Sequence, residues 1–277
     1  MTNFKKIGLT ALAGTLAATA YAQAGSLSVG GTARMEYQSN YKTTSGVETS
    51  TDTFSNNGTI TFSGSGELDN GFTASYYQAL ADGSLTSSNA KLDMGDMGVL
   101  GMGDHNHAGI GTISDVVPNG GEQPWDDIGT HGGHEDGVAS PHTGDRLGYT
   151  TAGDVVVSVA SDFNGDGATT SIAISSSTLV DGLKVAVGLA DVQSTAALED
   201  DLATYGFSYT MGSISVGAQK TKVDAETANS DIERDAYGIS FAVNENLSVG
   251  MGVSDVEYDA KSNDEESTEI GAVYTSG

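Results

Sequence analysis

Alternate positions along most of the chain are apolar. Leu27, Val29, Gly31, Ala33, Met35 and Tyr37 alternate with Ser28, Gly30, Thr32, Arg34, Glu36 and Gln38, a period of two that gives a strand one apolar and one polar face. The pattern returns at Val155–Val159, Leu183–Leu189, Tyr205–Met211, Ile214–Ala218, Tyr237–Val243 and Leu247–Val253. The opposing face is small and polar nearly everywhere. Turn residues punctuate these runs at Asp69-Asn70-Gly71, Asp96-Met97-Gly98, Gly153-Asp154, Asp181-Gly182, Gly212-Ser213 and Asn244-Glu245-Asn246, all suited to hairpins. Longer polar connections are expected between them, near 39–56, 81–88, 104–145, 163–170, 192–203, 223–234 and 256–267. About fourteen strands follow, of about the nine to eleven residues that cross a bilayer when tilted. Short turn, long loop, short turn is the meander of an all-β, transmembrane antiparallel β-barrel.

A soluble β-sandwich also alternates. The N-terminus and the aromatics separate the two. Lys5 and Lys6 precede a small apolar run, Ile7–Thr19, and Ala20-Tyr21-Ala22 supplies small residues where a signal peptidase reads. This is the layout of a secretory signal, residues 1–22, and the run is too short to be a membrane span. The barrel then occupies 23–277. Tyr37, Tyr41, Phe72, Tyr76, Tyr149, Phe163, Tyr205, Tyr258 and Tyr274 fall near strand ends, where barrels carry their aromatic girdles.

Composition sharpens the picture. Among 277 residues, 37 Asp and Glu face 11 Lys and Arg, a formal charge of −26. Loss of the signal leaves 9 bases and a charge of −28. So few bases exclude sequence-independent nucleic-acid binding, which must neutralise phosphates. Zero Cys excludes disulfide scaffolds and thiolate metal sites.

One connection is unlike the others. Residues 104–145 hold all five histidines, all three prolines, the single Trp125 and eight acids, with no Lys or Arg. A loop that long inside a compact fold implies function. His131 and His134, like His105 and His107, have spacings able to hold a divalent metal; the bland reading is solvated residues that titrate near neutrality. No nucleophile elbow or HExxH motif accompanies them, so an enzyme is not expected. Asp162, Asn164 and Asp166 match the first half of a calcium loop, but position twelve is Ala173. That rejects an EF-hand while leaving a Ca²⁺-holding acidic turn or an ordinary hairpin loop. No cofactor is required. A secreted acidic calcium-binding β-protein, adhesin-like, is the alternative reading; it would need repeated GGxGxD units, of which one fragment, Gly165-Asp166-Gly167, is present.

The signal and first strand through Tyr37, Leu68-Asp69-Asn70-Gly71-Phe72, Lys91-Leu92-Asp93-Met94-Gly95-Asp96 and Gly144-Asp145-Arg146-Leu147-Gly148-Tyr149 resemble Gram-negative general porins of the alphaproteobacterial, Rhodobacter-like group. The resemblance implies a sixteen-stranded barrel in the outer membrane, three barrels associated as a homotrimer, and a third loop folded into the lumen with its acids facing basic wall residues. Carried onto this chain, the constriction acids are Glu122, Asp126, Asp127, Glu135 and Asp136, and the wall bases are Arg34, Lys91, Arg146 and Lys184. It implies a water-filled channel for small hydrophilic solutes and ions. Many acids against few bases in a narrow constriction raise the local cation concentration, so cation selectivity is expected. External acids at 199–201, 255–259 and 264–266 are expected to be solvated, with divalent bridging to lipopolysaccharide as a secondary role. Such porins end in an aromatic residue, whereas this chain ends Tyr274-Thr275-Ser276-Gly277. Fourteen is an allowed even number, so a closed smaller barrel is one reading; the favoured expectation is that two C-terminal strands are missing.

Overall fold

The computed structural model describes residues 26–44, 47–81, 84–103, 108–120, 145–162, 169–195, 198–259 and 264–274. They form fourteen strands and no α-helix. The first seven are β1 (Ser26–Thr44), β2 (Val47–Glu67), β3 (Thr73–Ala81), β4 (Ser84–Asp93), β5 (Val99–Gly103), β6 (Arg146–Thr150) and β7 (Val155–Asp162). The rest are β8 (Thr169–Val180), β9 (Leu183–Thr195), β10 (Leu198–Met211), β11 (Ile214–Asp224), β12 (Ile232–Ala242), β13 (Leu247–Tyr258) and β14 (Glu265–Tyr274).

Every strand pairs antiparallel with its neighbours in sequence, and β1 also meets β14. That junction joins Ser39–Thr44 to Ile270–Glu265; among the described residues, Ser26–Gln38 pair on the β2 side alone. The ring thus holds fourteen strands among the described residues rather than the sixteen the resemblance implies. Across that junction the six paired residues of each strand satisfy backbone groups that an open edge would leave bare.

The alternation sorts the faces as expected. Val187, Leu189, Tyr205, Phe207, Val216, Ile239, Phe241 and Met251 point outward and are exposed, while Ala186, Gly188, Thr204, Gln219, Ala236 and Ser254 point inward and are buried. An apolar exterior over a small, polar interior is the inverse of a soluble domain. The outer band ends abruptly. On β11 it runs Ile214, Val216, Ala218 and then becomes Lys220 and Lys222; on β12, Phe241, Ile239 and Tyr237 give way to Asp235 and Glu233. Lys220 bridges Glu233 at 2.8 Å and Asp235 at 2.9 Å, and Lys222 also pairs with Glu233. Tyr205 and Tyr237 stand where carbon changes to charge, the place of an interfacial girdle.

Three expected loops are shorter than the sequence suggests. Strands β1 and β2 continue to Thr44 and from Val47, through most of 39–56; β3 and β4 close 81–88 to two intervening residues; β9 and β10 do the same at 192–203. Above the membrane both faces of a strand are wet, so the alternation vanishes although pairing continues. Placing arginine mid-band tests the orientation: Ile239→Arg should lower folding stability in lipid vesicles by about 2–4 kcal/mol in urea titrations, and Ser240→Arg, on the inner face, should leave it nearly unchanged.

Candidate functional site

The third loop returns into the barrel. After β5 ends at Gly103, residues 108–120 run along the inner wall, beginning with a 3₁₀ turn at Gly109–Ile113. Ile110, Ile113 and Val116 are buried against Ala173, Ala186, Ala190, Val192, Leu202 and Val223 of β8 to β11. Full burial of one such aliphatic side chain is worth about 1.5–3 kcal/mol. The inner face, small and polar nearly everywhere, is apolar at this seat. Val192, Leu202 and Val223 occupy inward positions because the loop, not water, covers them.

A line of glycines admits the backbone. A Cβ at Gly188 would lie 2.7 Å from Ile110 Cγ1, at Gly206 2.6 Å from Val116 Cγ2, and at Gly217 2.7 Å from Pro118 Cδ. At Gly250 it would lie 2.5 Å from the Asn119 carbonyl oxygen, and at Gly271 2.6 Å from that of Gly120. Gly148 would collide with Ala108, and Gly238 with the Pro118 carbonyl. The loop thus crosses the wall from β6 to β14 in contact with the main chain itself. Gly109 (φ 61°) lies so close to Ser171 and Ala160 that neither its conformation nor its space allows a side chain.

Wall side chains satisfy the loop's polar backbone. Gly109 N–H donates to Ser158 Oγ at 2.8 Å and Ile110 N–H to Ser171 Oγ at 3.0 Å. Gln219, buried on β11, works in both directions. Its Oε1 accepts from Val116 N–H at 3.1 Å, while its Nε2 donates to the Ile113 carbonyl at 3.0 Å and to Thr204 Oγ1 at 3.1 Å.

Of the expected wall bases, Arg146 opens β6 beside the loop, its guanidinium 3.3 Å from the place a Cβ on Gly111 would take. It is the register partner of Asp162. Lys184 follows the inward phase of Ala186 and Gly188 on β9, and Lys91 the inward phase of Asn89 on β4. Arg34 lies on β1 opposite Asn57. Asp162 Oδ1 accepts from Thr169 N–H at 2.6 Å, closing the hairpin between β7 and β8. The acids Glu122, Asp126, Asp127, Glu135 and Asp136, the metal candidates His131 and His134, and the calcium candidates Asn164 and Asp166 lie outside the described residues. Among the described residues no cluster of His, Asp or Glu is placed to hold a metal ion.

A barrel with an apolar exterior, girdled at its edge and narrowed from within by its third loop, has the geometry of a channel. A family model described as Gram-negative porin matches residues 8–277. The chain belongs to the Gram-negative porin family. By sequence, this porin matches no curated protein. By structure it is similar to an anion-selective porin from Comamonas acidovorans (TM-score 0.53, 12% identity, covering 91% of this chain and 99% of that one). OmpT of Vibrio cholerae aligns with TM-score 0.55 at 12% identity over 91% and 98% of the two chains. A mutant of Rh. blastica porin aligns with TM-score 0.51 at 13% identity over 90% and 99%. Family membership decides the choice between channel and adhesin for the channel, and it places the protein in the outer membrane.

Sequence reasoning missed Arg234, which is buried on the inner face of β12 with Ala236. The signal was available: extending the small-residue phase Ser240, Gly238, Ala236 by one step reaches it. In the sequence, Gln219 and the glycines do not stand out from the rest of the polar face. Two substitutions test the seat by single-channel recording. Gly238→Val should push the loop toward the axis and lower conductance. Gln219→Leu strands the Val116 N–H and the Ile113 carbonyl, a cost of about 1–3 kcal/mol each, and should increase open-channel noise.

Proposed function

We propose that this porin is a cation-selective, water-filled channel for passive diffusion of small hydrophilic solutes and ions. The observation that carries the reading is the path of the third loop. Its described part ends at Gly120, against Gly250 and Gly271 on the inner wall, and Glu122, Asp126, Asp127, Glu135 and Asp136 follow within sixteen residues with no Lys or Arg among them. Acids carried on a loop that enters a low-dielectric constriction act on permeating ions with little screening. Arg146 beside the loop, with Lys91, Lys184 and Arg34 elsewhere on the wall, supplies the opposing side of the transverse field.

The functional unit is a homotrimer in this reading; a Vibrio cholerae OmpT structure is described in its trimer form. The outer acids Asp235, Asp255, Glu257 and Glu266 stand at the wet ends of β12 to β14, where divalent cations can bridge them to lipopolysaccharide phosphates. Selectivity is measured by reversal potential in a tenfold KCl gradient across a planar bilayer. The expected sign is cation preference, moving toward zero in the Asp126→Asn, Asp127→Asn double variant. Anion preference in the parent channel would overturn the reading.

A further inference from the structure

Away from the described part of the loop, the inner wall of β1 to β4 carries a cavity of about 570 Å³. Six serines line it, together with Tyr76, Tyr77, Asn89 and Lys91, and no carboxylate does. The pairing register arranges these groups in two cross-strand rows. One runs Ser26, Ser65, Ser75, Lys91; the other runs Ser28, Ser63, Tyr77, Asn89. Ser28 and Ser63 hydroxyls are 2.7 Å apart, and those of Ser26 and Ser65 are 3.4 Å apart. Lys91 ends its row two residues before β4 stops at Asp93. The Lys91 ammonium is the one charged group in this lining. Asp93, one row nearer the turn, has Oδ1 occupied by the Gly95 N–H at 2.9 Å.

We propose that this alcove is a binding subsite for small hydroxylated monocarboxylates of the sugar-acid class, used as they leave or enter at the short-turn mouth. The inference rests on the channel reading. A lone ammonium gives one compact positive charge, which matches a single carboxylate and gives no grip on a neutral polyol. Serine hydroxyls both donate and accept, which matches a row of alcohols and is wasted on a bare anion. A sugar acid uses both sets. The volume lies within the range of small-molecule sites. In a chain of 37 acids a patch whose lining holds an ammonium and no carboxylate is where an anionic solute can pause.

The test is block of single-channel current through reconstituted protein, with sodium D-gluconate added on the short-turn side and each variant normalised to its own unblocked current. Sodium acetate supplies the charge without hydroxyls, and sorbitol the hydroxyls without charge. Gluconate should reduce current at concentrations about fivefold below those of acetate or sorbitol, and Lys91→Gln should erase that advantage. Ser75→Ala, which removes the hydroxyl between Ser65 and Lys91, should weaken gluconate and leave acetate unaffected; it also serves if Lys91→Gln fails to fold. Equal potency of the three probes, or an advantage that survives both substitutions, overturns the subsite while leaving the channel intact. Failure of the parent chain to form channels overturns the channel reading, and the subsite with it.

Discussion

Hydrocarbon offers no hydrogen bonds, and everything in this molecule follows from the need to satisfy backbone polar groups without water. Strands answer that need for the wall by pairing with one another. The third loop faces a milder version. Its inner side meets lumenal water, but its outer side is pressed against the wall and loses that option, so wall side chains must substitute. Ser158, Ser171 and Gln219 do so for Gly109, Ile110, Ile113 and Val116. Gln219 matters most because one primary amide supplies both a donor and an acceptor. It serves the loop as a neighbouring strand would, while its own backbone remains in the ladder opposite Gly206 and Ala236.

Contact between loop and main chain requires absent side chains, and the arrangement of the glycines records the tilt of the strands. Gly217 pairs directly with Gly238, and Gly250 with Gly271. Gly206, however, is registered with Gln219, and Gly188 with Ala173. A segment running level around a barrel cuts obliquely across tilted strands, so its footprint steps off the register every one or two strands. No single strand announces the track. Each contributes one glycine amid others that serve turns or simply fill the wet face.

This explains what the sequence could and could not yield. The period-two alternation depends only on local contrast between lipid and water, so the strands, their outward faces and the barrel class were legible from residues such as Val187, Val216 and Ile239. Contrast fails where the environment is the same on both sides, which is why β1 and β2 outlast the expected strand ends. It misleads where the lumen is dry: Val192, Leu202 and Val223 are apolar and inward because Ile110, Ile113 and Val116 cover them. Arg234 was lost for a related reason, since the small-residue phase that contains it was followed only across the membrane band.

Net charge is the coarsest of these signals, and the fold shows how little it says about the lumen by itself. Much of the acid excess stands outside the barrel, on the outer faces of strand ends at Asp235, Asp255, Glu257 and Glu266, or in the external connections. Along the inner faces the described strands carry Lys91, Arg146, Lys184 and Arg234 as well as Glu67, Asp93, Asp162, Glu265 and Glu269. A wall so mixed has no strong preference of its own. Exposed outer charges act through high dielectric and salt, and decay within about 8 Å at physiological ionic strength. What permeating ions feel is therefore governed by the charges nearest their path in the least hydrated stretch. The described part of the loop, residues 108–120, lies over the glycine track and carries one acid, Asp115. The track's contribution is therefore steric: it fixes the point, Gly120, from which the acid-rich sequence continues, while in the proposed reading loop acids and wall bases set the field together.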